Sequence, residues 1–212
     1  KQKEQAKKMT TNIIVKLILF LIPISIFSYI FSKNIIRILF MRGNFDETSL
    51  TMTSLAFQMY LVGVFAICLR EVFLRCLYSL KSNKTVIYIT MINVILNVIL
   101  NTIFIKKFQY YGLALATSLS NVIVLPIYFY KLNKEKMLDL KQISISLIKT
   151  IVISAIISII LFVVKNNISF PNNVLLEIIY IAIFFAIGTI MFVSIYFGKD
   201  ILLNIKKKGK IK

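Results

Sequence analysis

The sequence predicts an all-α fold, a polytopic membrane helix bundle with six transmembrane helices, short loops and two basic ends. Three observations carry this expectation. The 212 residues are 58% hydrophobic with a mean hydropathy of +0.85, too apolar for a water-soluble domain of this size. Six runs approach the roughly 20 mainly apolar residues that a helix needs to cross the hydrocarbon core. They are Asn12 to Phe31, Ser49 to Leu69, Val86 to Ile105, Gly112 to Tyr130, Ile143 to Val164 and Val174 to Phe197. Finally, if all six cross, the loops on the amino-terminal side hold eighteen of the 26 Lys and Arg, while the opposite side holds six. By the positive-inside rule both termini are then expected to be cytoplasmic.

The same counts exclude several function classes. A formal charge of +18 raises nucleic acid as a partner, but these charges lie between apolar spans and not on one soluble face, so no nucleic acid is expected. The chain has no histidine, which removes imidazole catalysis and His-ligated metals, and it carries no phosphate-binding glycine loop, nucleophile elbow or CxxC. No enzyme is expected. Cys68 and Cys76, eight residues apart on one helix, would place their Cα atoms about 12 Å apart, too far for a disulfide. The chain opens on Lys1 without a cleavage motif ahead of its first span, so the reading is of a sequence that starts mid-protein, after a preceding helix.

Taken in order, residues 1–11 form a basic cytoplasmic lead-in, toward which Lys16 can snorkel. Pro23 kinks the first span. Residues 33–42 follow, where Ile35, Ile36, Leu39 and Phe40 recur at helical spacing among Lys33, Arg37 and Arg42, as in a helix lying in the membrane interface. Gly43 stops it, and Asp46 or Thr48 caps the next helix. The second span ends near Arg70, Glu71 and Arg75. Glu71 and Arg75 are spaced to pair. The two arginines either anchor the helix at the headgroups or contact an anionic ligand at an entrance mouth. Pro126 breaks the fourth span near its end, and Lys149 and Glu177, each close to an interface, are read as snorkelling. Residues 199–212 make a basic tail suited to anionic lipid.

The third and fourth spans hold the most specific pattern. Asn93, Asn97 and Asn101 recur every fourth residue and share one helix face. Across an expected six-residue turn, Thr117 and Asn121 do the same, beside a small-residue stripe of Gly112, Ala116 and Ser120. The short turn makes the two spans antiparallel neighbours whose polar lines can face each other.

Four stretches then resemble, in order and spacing, the MurJ (MviN) lipid II flippase family of the multidrug, oligosaccharide-lipid and polysaccharide exporter superfamily. They are RILFMRGNFD (37–46), RCLYSLKSNKT (75–85), NVILN (97–101) and GLALATSLSN (112–121). Val86 stands where the family carries a proline. The resemblance implies the C-terminal part of a fourteen-helix flippase: residues 12–135 as C-terminal-lobe helices and 136–198 as two C-terminal spans forming a groove for a lipid tail. It implies a bacterial inner-membrane protein whose partners are membrane lipids, lipid II or another polyprenyl-pyrophosphate-linked saccharide, and an N-terminal lobe outside this sequence. Translocation of lipid II by alternating access is the implied function, with another saccharide exporter or a non-transporting cell wall scaffold as alternatives.

Arg70 and Arg75 stand as substrate-binding candidates. No cofactor is expected apart from sodium coupling, for which the resemblance places Asn97, Asn101, the Leu113 carbonyl and Thr117 at the cation site of some relatives. Hydrogen bonding between the two helices is the competing role for the same amides.

Overall fold

The computed structural model describes residues 2–167 and 174–209. Six helices occupy them: α1 (Gln2–Ile30), α2 (Ser32–Phe40), α3 (Glu47–Ser79), α4 (Asn83–Lys134), α5 (Leu140–Asn166) and α6 (Val174–Gly209). Five are long and apolar enough to cross a membrane, the exception being α2. The predicted six crossings are recovered because α4 is two helices. Gln109, at φ 52° and ψ −133°, reverses the chain between residues 83–108 and 110–134.

The reversal is therefore tighter than the expected six-residue turn. Gly112 makes it so: a Cβ there would lie 2.5 Å from the Phe104 carbonyl oxygen, so only glycine lets the second arm start this close to the first. Farther from the turn, Asn97 meets Thr117 and Asn93 meets Asn121, the register of an antiparallel hairpin.

The α4 hairpin packs mainly on α3, and α1 lies against both α3 and α5. At one crossing Gly63 of α3 sits under Ser118, whose hydroxyl donates to the Met59 carbonyl at 2.7 Å. One core joins Ile14, Ile18, Phe73, Val124 and Tyr128 across α1, α3 and α4. A second joins Phe27 and Phe31 of α1 and its end to Ile157, Phe184 and Phe192 of α5 and α6. On α5, buried Ser146, Thr150, Ser154 and Ser158 repeat every fourth residue, small enough to let a neighbouring helix approach closely.

Several local expectations change. The segment 2–11 is the first part of α1 and not a separate lead-in: nothing in it breaks a helix, and Thr10 and Thr11 are buried, with Thr11 accepting from the Asp139 backbone N–H at 3.1 Å. Pro126 does not break its helix, which runs on to Lys134. The interfacial segment is helical as expected and is tied to α3 through Gln58, which donates to Ser32 Oγ at 2.7 Å. Gly43 follows it at φ +60°, and Asp46 caps α3. The expectation for the basic tail at 199–212 lies outside the residues whose side chains are described.

Candidate functional site

The polar lines of the α4 hairpin do face each other. Asn97 Nδ2 donates to Thr117 Oγ1 at 3.4 Å and to Ser120 Oγ at 3.3 Å, while Asn101 Nδ2 donates to Asn97 Oδ1 at 2.9 Å. Thr117 Oγ1 in turn donates to the Leu113 carbonyl at 3.0 Å. One helical turn farther from the reversal, Asn93 Nδ2 donates to Asn121 Oδ1 at 3.2 Å. Each interhelical bond of this kind stabilises the pair by roughly 0.6 to 2 kcal/mol in lipid.

Arg70 completes this seam from α3. Its Nη1 donates to Asn121 Oδ1 at 2.8 Å and its Nη2 to Glu71 Oε1 at 2.9 Å. Arg70, Asn93, Asn97, Thr117, Ser120 and Asn121 thus line one cavity of about 260 Å3, together with Val94 and Val98. Two atoms of that wall, Arg70 Nε and Asn93 Oδ1, are buried and without a protein partner among the described residues. A cavity of this size has room for bridging water.

The two arginine candidates separate. They are five residues apart, about 140° around the helix, so Arg70 turns into the seam and Arg75 is exposed. Arg70 lies nine residues before the end of α3, about 13 Å along the helix axis. Glu71 pairs with Arg70 and not with Arg75. Cys68 and Cys76 are free thiols.

Sequence reasoning missed a second polar contact. Glu177 does not snorkel: it is only 3% exposed and accepts from Asn34 Nδ2 of α2 at 2.7 Å. Lys149 reaches the Tyr196 backbone carbonyl at 2.7 Å, its ammonium 3.9 Å from the centre of the Tyr196 ring. The signal was a lone carboxylate in an apolar run, but its partner lies 143 residues away in sequence.

A monovalent cation is the metal that the resemblance implies for this seam. Amide, hydroxyl and carbonyl oxygens are the right donor type. As arranged, Asn97 Oδ1, Thr117 Oγ1 and the Leu113 carbonyl are engaged with one another or with Asn101, while Asn101 Oδ1 and, farther along the seam, Asn93 Oδ1 are buried oxygens without a partner among the described residues. The seam offers no carboxylate. Among the described residues no three acidic or thiol side chains gather as a metal site, and Glu71 is held by Arg70. The donor set within this chain is therefore made of neutral oxygens alone.

Six crossings around an internal polar seam define a multi-pass membrane helix bundle with a polar interior. The sequence matches the profile of the family described as lipid II flippase MurJ over residues 1–181. A probable lipid II flippase MurJ of Buchnera aphidicola subsp. Baizongia pistaciae is 30% identical over 153 residues, covering 72% of this chain and 30% of that protein. One from Vibrio cholerae is 32% identical over 107 residues, 50% and 20% of the two chains. One from Rickettsia prowazekii is 24% identical over 204 residues, 94% and 39%. The fold is similar to a solved lipid II flippase MurJ in an inward closed conformation, with a TM-score of 0.76 at 23% identity over 93% of this chain and 40% of that one. The chain belongs to the lipid II flippase MurJ family, and it spans between a fifth and two fifths of the length of these relatives.

Proposed function

We propose that this chain supplies one wall of the cavity through which a lipid II flippase moves its cargo from the cytoplasmic to the outer leaflet by alternating access. The other wall is the N-terminal lobe that longer relatives carry. The single observation behind the reading is the cavity of about 260 Å3 lined by Arg70, the asparagine line and Thr117. Most of these polar groups are satisfied by one another, but Arg70 Nε and Asn93 Oδ1 are buried without a protein partner among the described residues, which supports water in the cavity. Flipping needs differential binding in two conformations and no bond chemistry, which suits a seam of neutral amides.

Exposed Arg75, with exposed Lys81 and Lys84 beyond the end of α3, gives the anionic pyrophosphate headgroup its first contact on the cytoplasmic side. The apolar groove between α1 and α6, lined by Phe20, Pro23, Phe192 and Val193, takes the polyprenyl tail. The charge asymmetry of the loops supports an orientation with both ends of the chain in the cytoplasm.

The test is complementation of a flippase-depleted bacterium by the full-length protein. Rescue by wild type and loss of rescue in Asn97→Leu, at equal membrane levels, is the expected result. Failure of the wild type to rescue, while present in the membrane, overturns lipid II as cargo.

A further inference from the structure

We propose that the first two turns of α5 hold the headgroup of one phosphatidylethanolamine-type membrane lipid, a zwitterion whose ammonium meets Asp139 and whose phosphate meets Lys141. Asp139, Lys141, Gln142, Ile145 and Ser146 line a cavity of about 290 Å3 there, which shares no residue with the α4 seam. Asp139 is held in place twice: its backbone N–H donates to Thr11 Oγ1 at 3.1 Å, and its Oδ1 accepts from the Gln142 N–H at 3.1 Å. Its carboxylate nevertheless has no cation paired with it among the described residues, and Lys141 has no carboxylate. Ser146 is only 7% exposed, and its hydroxyl makes no hydrogen bond to a described residue. The cavity thus offers one anion, one cation and one unmade hydroxyl bond.

Their order along the helix fits a lipid of this kind. Asp139 comes first, Lys141 and Gln142 follow within one turn, and Ser146 lies about 10 Å beyond Asp139 along the axis. In such a lipid the ammonium, the phosphate and the ester carbonyls follow one another in the same order from water into the membrane. Lys141 shares its helix face with Ile145, Ile148 and Val152, all exposed, so acyl chains can run on from the headgroup along bare apolar side chains. Lys149 does not compete for the phosphate, because its ammonium is held by the Tyr196 carbonyl at 2.7 Å. Asp139 decides between headgroups. An anionic headgroup would bring its phosphate beside an unpaired carboxylate, and a quaternary ammonium has no N–H to donate, whereas a primary ammonium makes a charge-assisted hydrogen bond. The inference does not depend on which lipid-linked cargo is moved, and its readout is lipid retention and not transport.

Native mass spectrometry of the purified full-length protein tests it, with titration in detergent by phosphatidylethanolamine, phosphatidylcholine and phosphatidylglycerol of identical acyl chains. Wild type is expected to retain one phosphatidylethanolamine about tenfold more tightly than either of the others, the scale of one charge-assisted hydrogen bond. Asp139→Asn keeps a side chain that caps a helix but loses the charge, and is expected to lose most of that preference. Asp139→Ser, also a capping residue, serves if the asparagine version does not fold. Lys141→Gln is expected to weaken the ethanolamine and choline lipids by a similar factor, since the phosphate is common to both. Lys106→Gln, near the reversal of α4, is expected to change nothing. Equal retention of the three lipids by wild type overturns the proposal, as does a preference for phosphatidylglycerol. An undiminished ethanolamine preference in Asp139→Asn also overturns it, as does an equal loss in Lys106→Gln and Lys141→Gln.

Discussion

Arg70 on α3 donates to Asn121 on the second arm of α4 at 2.8 Å, across a boundary between two membrane-spanning elements. This contact binds the hairpin to α3 at the level of the polar cavity. Replacing Asn121 with leucine strips Arg70 and Asn93 of a shared acceptor. A buried donor left unmade costs about 1 to 3 kcal/mol. Thermal unfolding of Asn121→Leu is expected to show that loss, and Arg70→Met in the Asn121→Leu background to cost less than Arg70→Met alone.

Gly63 and Ser118 fix the approach of α3 to the same arm. A Cβ on residue 63 would stand 2.5 Å from Ser118 Cα, a backbone atom that cannot move without its helix. Gly63→Ala is expected to destabilise by about 1 to 3 kcal/mol, as overpacking does. Ser118→Gly in that background frees the side-chain part of the clash but not the backbone part, so the unfolding midpoint is expected to recover only in part.

Gln109 carries the whole reversal of α4 at φ 52°, a region that favours glycine. An L side chain held in such a conformation costs on the order of 1 kcal/mol or more. Gln109→Gly is expected to raise the unfolding midpoint, and Gln109→Val to lower it.

Asp46 caps α3 by accepting from the Ser49 N–H at 2.7 Å, which holds its carboxyl below the ordinary aspartate value. Because the folded value is the lower one, the cap is fully effective above the unfolded pKa of about 3.9. Its contribution is lost as pH falls through the depressed folded value. The protection of the Ser49 amide relative to its intrinsic exchange rate is expected to fall over that acidic window in wild type and to show no such step in Asp46→Asn.

Asn34 and Glu177 join α2 to α6 at 2.7 Å. Asn34→Ala leaves a buried carboxylate without this donor, and a loss of about 1 to 3 kcal/mol is expected. Asn34→Gln, which keeps an amide, is expected to recover part of it in the same unfolding measurement.

The spans and the asparagine line were legible in the sequence because both are properties of one helix at a time. Length and apolarity identify a crossing, and a four-residue repeat of amides identifies a face. What was not legible depends on how helices are rotated against each other. Local spacing paired Glu71 with Arg75, but α3 presents Arg70 to Asn121, and Glu71 follows it. The lone Glu177 resembled a snorkelling charge because its partner, Asn34, lies on a different element. The turn of α4 was drawn too wide because KKFQYY carries no glycine or proline, and the strain falls on Gln109 alone.

The central claim is that the faced lines of α4 border a wet interior. It is tested most directly by thiol labelling of the full-length protein in membranes, with Cys68 and Cys76 replaced by alanine and a single cysteine introduced. A water-soluble, membrane-impermeant reagent is expected to label Asn97→Cys and Thr117→Cys, and to leave Ile95→Cys, on the opposite face of the same helix, unlabelled. Labelling of Asn97→Cys and Thr117→Cys no faster than Ile95→Cys would contradict the account.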